Sequence, residues 1–271
     1  MSKAPDLITS LTNDRIKAIR ALDMRKERKE TGLFVAEGAS ILVTARQHGF
    51  KPQTLVYQTN MGQTAIHREL IADALNTGSD VLEVSEAVLT KLASKENPQA
   101  MLGVFAQRWM TAPQPRSVAP DACWLALEEV RDPGNLGTII RTADAVGAGG
   151  IILIGNCCDP FARETVRATM GSIFAVPLVR MNREDFLVWR AQWTGDVAGT
   201  HLEANVDFRE GAYRGPTLLV MGSEGPGLSD SLTRACSKLI KIPMAGDLDS
   251  LNLAVATALT LYQIRGPRLK L

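Results

Sequence analysis

The sequence predicts an α/β protein of two domains, the larger built on a parallel sheet, and three observations predict it. Short apolar or β-branched runs alternate with helical stretches along the whole chain. One of those runs, IILIG from Ile151 to Gly155, is apolar throughout, as strands covered on both faces are. The stretch Arg108 to Asp121, RWMTAPQPRSVAPD, holds three prolines. Proline fixes φ and lacks a donor, so this stretch reads as an extended linker (108–121) between a domain over 1–107 and one over 122–271.

Composition narrows the function classes. A chain of 271 residues can bury two moderate cores. Its net charge of +1 announces no acidic or basic partner. No apolar run is long enough and free enough of charge to span a bilayer, and MSKAPDLITS at the start lacks an apolar signal core, so the expectation is a cytoplasmic protein without a membrane partner. Cys157 and Cys158 are adjacent, which suits neither a bridge nor zinc, and Cys123, Cys236 and the histidines His48, His67 and His201 are scattered. No metal site is expected.

The elements follow in order. Arg15, Lys17, Arg20, Arg25, Lys26, Arg28 and Lys29 fall within one expected helix, interleaved with Asp14, Asp23, Glu27 and Glu30. Such a helix is either a solvated face laced with ion pairs or an arm that contacts phosphates. A strand FVAEG then leads into a helix over 37–47, followed by a strand TLVYQ (Thr54 to Gln58) and a helix over 64–75. A strand VLEV (Val81 to Val84), a helix capped by Ser85, and a strand from Gly103 complete the first unit. It holds no nucleophile–base pair and no phosphate loop, so it reads as a binding module. Beyond the linker, strands are expected at 124–127, 151–155, 176–179, 196–200, 217–222 and 239–243, with helices over 136–146, 164–170 and 184–192. The last helix begins near Ser250, its expected N-cap, and runs to Tyr262 with Asn252 in its first turn. It is apolar nearly all round, as a helix buried on more than one side is. In such a sheet, ligands gather at the carboxyl ends of the strands.

Three strand ends carry unusual loops. In Glu128 to Arg141, EEVRDPGNLGTIIR, a Pro133-Gly134 turn places Asn135 at a helix start, with Arg141 about two turns later. In Met221 to Ser229, MGSEGPGLS, three glycines and a proline shape a tight loop around Glu224, of the kind that lets a ligand approach the backbone. The third loop runs from Ile242 to Asn252. No Gly-Lys-Ser/Thr follows the second loop and no GxGxxG opens the first strand–helix turn, which counts against a nucleotide-phosphate or dinucleotide site.

These loops resemble the three ordered motifs of the SpoU (TrmH-type) RNA 2′-O-ribose methyltransferases of the SPOUT superfamily: Asn135-Leu-Gly-Thr-Ile-Ile-Arg141, Gly222-Ser-Glu224-Gly-Pro-Gly-Leu-Ser, and Ile242-Pro-Met through Ser250-Leu-Asn252-Leu-Ala-Val-Ala. The resemblance covers nearly the whole chain. FVAEG and the unit after it resemble the L30e-like substrate-binding domain of members that act on ribosomal RNA. Val166-Arg167-Ala-Thr-Met-Gly171 resembles a recurring stretch of the same enzymes. The chain departs from the pattern at Ala254, where many members have Ser, a change that removes a polar contact beside the cofactor.

The resemblance implies a deep trefoil knot in the C-terminal half, which topology rules would not have foreseen. It implies S-adenosylmethionine as methyl donor, a homodimer formed through that half, and a ribose 2′-hydroxyl of RNA as acceptor. Ribosomal RNA of the 23S type is favoured by the added domain, with transfer RNA or a non-catalytic RNA-binding role as alternatives. Asn135, Arg141, Glu224, Ser250 and Asn252 match the family's catalytic positions. Thr200, Met221, Gly222, Gly225, Ile242, Met244 and Leu251 match its donor-binding positions. Under this reading the N-terminal cations Arg15, Lys17, Arg25, Lys26, Arg28 and Lys29, with Arg167, become RNA contacts. Arg141 is often given the role of base in this family. A guanidinium stays protonated in proteins, so gripping the phosphate beside the target ribose suits it better, leaving the proton to that phosphate or to Glu224 through a water.

Overall fold

The computed structural model describes residues 7–60, 64–93 and 100–270. Part of the N-terminal stretch read for a signal core, residues 1–6, lies outside them. The chain divides into two compact units, one of 1–107 with 159–174 and one of 108–158 with 175–271.

The first unit opens with two helices, α1 (Asp14–Ala21) and α2 (Arg25–Thr31), where one was expected. No Gly or Pro breaks them. The chain turns because the Leu22 and Asp23 carbonyls accept hydrogen bonds from Arg28 Nη1 at 2.8 and 2.9 Å. A four-stranded sheet follows, made of β1 (Leu33–Glu37), β2 (Thr54–Gln58), β3 (Asp80–Val84) and β4 (Met101–Ala106) in the order β1-β4-β2-β3. β4 runs antiparallel to both neighbours, and β2 and β3 are parallel. The helices α3 (Ala39–Gln47), α4 (Ala65–Asn76) and α5 (Glu86–Leu92) connect the strands. Thr64 and Ser85 cap α4 and α5 by accepting the amides of His67 and Val88. Ile16, Ile19 and Leu22 join Val35, Val56, Leu82, Val88 and Leu89 in one core, so the N-terminal helices are part of this unit's interior. The segment 159–174 contributes α7 (Arg163–Ala168), with Phe161 and Phe174 packed at a tilt against Phe34 at ring-centroid distances of 4.9 and 5.8 Å.

The second unit is a seven-stranded sheet in the order β7-β6-β5-β10-β8-β11-β9, with every pairing parallel. Its strands are β5 (Cys123–Glu128), β6 (Gly150–Ile154), β7 (Leu178–Met181), β8 (Val197–Thr200), β9 (Val206–Asp207), β10 (Thr217–Met221) and β11 (Lys238–Lys241). The helices are α6 (Pro133–Ala145), α8 (Arg183–Arg190), α9 (Asp230–Ala235) and α10 (Leu253–Arg265). Trp124, Ala126, Ile152, Leu218 and Val220 share a core with Phe186 of α8 and Leu232 of α9. Their alternates Leu125, Leu127, Ile151 and Leu219 are also fully buried, on the opposite face. There α6 and α10 pack on each other and against β6 and β10.

Two expectations change here. The proline-rich stretch belongs to this unit and lies against it: Met110 N–H donates to the Leu178 carbonyl at 2.8 Å, and Trp189 Nε1 donates to the Pro113 carbonyl at 2.8 Å. The final helix is not buried all round. Ala254, Thr257, Thr260 and Leu261 are buried, whereas Val255, Leu259 and Tyr262 are 48%, 43% and 50% exposed.

Candidate active site

The first loop leaves β5 at Glu128 and enters α6 at Pro133, which occupies the first helical position, where its missing N–H costs nothing. Asp132, rather than Asn135, is the N-cap: its Oδ1 accepts the Asn135 amide at 2.6 Å. Asn135 sits one turn in, with its side chain free to reach outward. Its Nδ2 donates to Glu224 Oε1 at 3.0 Å, and its Oδ1 accepts from Asn252 Nδ2 at 2.9 Å. Asn252 in turn caps α10, accepting the amides of Ala254 and Val255 at 2.9 and 3.3 Å. The N-cap is therefore Asn252 and not Ser250. Ser250 is exposed in the preceding loop, and the residue in the cap position is the one whose side-chain oxygen faces the helix amides.

Each amide orientation in this chain is dictated by its neighbour. A carboxylate can only accept, so Asn135 must present its NH2 to Glu224 and its oxygen to Asn252. Asn252 must then present its NH2 to Asn135, which leaves its oxygen for the helix. The carboxylate also accepts the Arg131 amide on Oε2 at 3.1 Å and the Asp132 amide on Oε1 at 3.4 Å. Burial alone would raise the Glu224 pKa, but the hydrogen bonds from Asn135, its own amide, Arg131 and Asp132 outweigh burial and hold it below the usual carboxylate range. A charged carboxylate with its oxygens so occupied is a weak base and a strong clamp. It ties the first loop to the second, and Asn135 ties both to the third.

The second loop owes its shape to glycine. Ser223 and Gly227 exchange both backbone hydrogen bonds at 3.1 Å, closing the loop on itself. At Gly222 an added Cβ would lie 2.0 Å from the Gly227 carbonyl carbon, so no other residue fits there. Gly225 takes the left-handed φ of 95° that the turn requires.

The expected donor-binding residues gather at neighbouring strand ends. Thr200 ends β8, Met221 ends β10, and Ile242 follows β11, three parallel strands adjacent in the sheet. Thr200 Oγ1 lies 3.5 Å from Met221 Sδ, linking the first two. Ile242, Met244 and Leu251 are half-buried in the third loop, and Gly225 is exposed at the tip of the second. This set fits an adenosyl group: backbone bared by glycine and half-buried apolar side chains at the carboxyl edge of a parallel sheet.

Asn135, Glu224 and Asn252 are thus joined, while Arg141 and Ser250 are not hydrogen-bonded to them. The Arg141 side chain is exposed on α6 and makes no hydrogen bond or ion pair among the described residues. In the first unit, Arg15 pairs with Asp80 at 3.3 Å, Lys17 with Asp14 at 3.1 Å and Lys26 with Glu30 at 3.8 Å, all exposed. Arg25, Lys29 and Arg167 are exposed. Arg28 overturns its expectation. It is 4% exposed, its Nε and Nη2 grip Asp159 at 2.8 Å, and its Nη1 is spent on two carbonyls, so it holds the unit together and offers RNA nothing. Sequence reasoning missed the Asp132 cap, although Asp before Pro at a helix start is its signal. It also missed Glu128, a buried carboxylate whose partners lie far away in sequence.

Fold and loops together define an α/β protein whose candidate ligand site lies beyond the carboxyl ends of a parallel sheet, where three loops are tied to one another. Comparison with known proteins gives the family. Residues 122–262 match the SpoU rRNA Methylase family, and residues 13–103 match an MRM3-like substrate binding domain. Over 96% of this chain and 99% of its counterpart, the sequence is 30% identical to the 23S rRNA (guanosine(2553)-2′-O)-methyltransferase RlmP of Bacillus subtilis. The crystal structure of an AdoMet-bound rRNA methyltransferase from Sinorhizobium meliloti superposes with a TM-score of 0.89 at 45% identity, covering 98% of this chain and 99% of that one. The AdoMet complex of the SpoU methyltransferase AviRb from Streptomyces viridochromogenes superposes with a TM-score of 0.84 at 30% identity, over 94% and 98% of the two chains. The chain belongs to the SpoU rRNA methylase family.

Proposed function

We propose that this protein methylates a ribose 2′-hydroxyl of ribosomal RNA of the 23S type, with S-adenosylmethionine as donor. The observation that carries the proposal is the hydrogen-bonded chain Asn252–Asn135–Glu224, which joins all three family motifs at the strand ends. RlmP and AviRb relatives, named for 23S rRNA or solved with AdoMet, support both substrates. Thr200, Met221, Gly222, Gly225, Ile242, Met244 and Leu251 would hold the donor, which when bound supplies an already activated methyl group.

The remaining difficulty is the weak nucleophile, and here the residues divide the work. Arg141, an unpaired cation among the described residues, grips the phosphate beside the ribose and aligns the hydroxyl. The Asn135–Glu224–Asn252 chain fixes the loops that face the donor, and Ser250, exposed in the third loop, offers a hydroxyl to the substrate. The low pKa and filled lone pairs of Glu224 favour the substrate phosphate as the proton's destination. The first unit selects the site on the RNA, with Arg15, Lys17, Arg25, Lys26, Lys29 and Arg167 contacting its backbone.

The same reading includes the family's trefoil knot, cytoplasmic residence and a homodimer through the second unit. No helix among the described residues is long and apolar enough to cross a membrane. The exposed stripe Val255, Leu259 and Tyr262 recurs at one-turn spacing on α10 and supports the dimer. Replacing Leu259 by Arg should convert the dimer to a monomer in light scattering; an unchanged mass would place the interface elsewhere. Transfer of labelled methyl to unmodified ribosomal and transfer RNA tests the main claim. Label in ribosomal RNA that makes one linkage resistant to alkali is the expected result. Label in transfer RNA alone would reassign the substrate, and label in neither, with donor binding intact, would leave an RNA-binding protein.

A further inference from the structure

A second carboxylate holds the loops from the other side. Glu128 is the last residue of β5, apolar up to that point, and is 3% exposed. Its Oε2 accepts the Ser229 amide at 2.8 Å, and its Oε1 accepts from Arg183 Nε at 2.9 Å. Burying an ionised carboxylate is costly unless it is paired and hydrogen-bonded, and both conditions are met.

Ser229 ends the glycine loop that carries Glu224. That loop is closed on itself by the Ser223–Gly227 pair, so the placement of its two ends sets where Glu224 lies. The first end is fixed where Met221 pairs with Leu127 in the sheet. Glu128 fixes the second. Glu224 then reaches back to the amides of Arg131 and Asp132, three and four residues after Glu128. The contacts form a closed circuit: a carboxylate at the root of the first loop holds the end of the second, and a carboxylate in the second holds the first.

We propose that Glu128 is a positioning residue for methyl transfer, acting through the Ser229 amide to aim Glu224 and, through it, Asn135. The inference rests on the assignment of Asn135, Glu224 and Asn252 to the reacting site. Arg183 neutralises Glu128 from α8 and contacts Glu129 at 3.4 Å.

The full-length chain and the RNA it methylates provide the test. Glu128→Ala should lower kcat by roughly tenfold, the scale of one missing charge-assisted hydrogen bond, while leaving KM for RNA within about twofold. Ser229→Pro removes the same hydrogen bond from the donor side and leaves the carboxylate in place. The φ of −65° at Ser229 already suits proline. It should reproduce the kcat loss, and it carries the test if thermal melting shows that Glu128→Ala does not fold. In a Glu224→Ala background the Glu128→Ala effect should shrink to less than about threefold, because both changes open one circuit. A full tenfold loss in that background, or wild-type kcat in Glu128→Ala or in Ser229→Pro, would overturn the latch. Wild-type kcat in Glu224→Ala alone would instead overturn the assignment of the reacting site on which the latch depends.

Discussion

Asn135 is the residue on which the candidate site turns, because among the described residues it alone is hydrogen-bonded to both Glu224 and Asn252. Its two amide ends are not interchangeable. Asn135→Asp sets a carboxylate against Glu224 and another oxygen against a donor already well placed, so the change is nearly isosteric but reverses one interaction. Methyl transfer should fall by about two orders of magnitude, the scale of removing a site-organising donor, with little change in melting temperature. The pH profile should move as well. In the native protein the Glu224 pKa lies below its ordinary value of 4.5, so its contribution is complete above that pH and is lost as pH falls through the lower folded value. The Asp variant removes a lowering hydrogen bond and adds a like charge, so the acid limb of its pH–rate profile should shift upward. A profile superimposable on that of the native enzyme would show that Asn135 does not set the Glu224 charge. The sequence marks Asn135, Glu224 and Asn252 as candidate site positions, and the structure joins the three by hydrogen bonds. Their division of labour was not, because it depends on hydrogen bonds across 89 and 117 residues of chain.

At the scale of elements, the sequence marks strands more sharply than helix ends. TLVYQ is a strand over the residues expected, and most other strands shift by only one or two positions. The errors fall where a side-chain contact, a short length or a sheet edge decides the element. α1 and α2 read as one helix because no Gly or Pro divides them, and the divider is the Arg28 side chain folded back on the Leu22 and Asp23 carbonyls. The short helix α9 after the glycine loop and the two-residue β9 were missed, one for its length and the other because it pairs at a sheet edge. Arg28→Ala would strand the Asp159 carboxylate, which is 11% exposed, and release the helix junction. Breaking a buried pair this way costs about 3–5 kcal/mol. Chemical denaturation should show a loss of that size, and a loss below about 1 kcal/mol would return Arg28 to the solvated surface.

For the whole molecule, the chain's small net charge conceals how the work is distributed. The cations of α1 and α2 were legible as an RNA arm or a solvated face, and the structure sorts them. Arg28 is spent internally, Arg15, Lys17 and Lys26 are paired on the surface, and Arg25 and Lys29 are exposed. Truncating the arm would remove Ile16, Ile19 and Leu22 from the core, so charge reversal is the cleaner probe. Arg25→Glu with Lys29→Glu should weaken RNA binding and lower its salt slope by roughly one to two, one for each phosphate no longer neutralised. An unchanged slope would make these residues a solvated face. The most direct measurement compares single-turnover methyl transfer with S-adenosylmethionine affinity in Arg141→Ala. An exposed guanidinium, unpaired among the described residues, that grips the substrate predicts transfer abolished and donor affinity within about twofold of the native protein. Donor affinity lost together with transfer would place Arg141 in the donor site and contradict its role as the grip on the substrate phosphate.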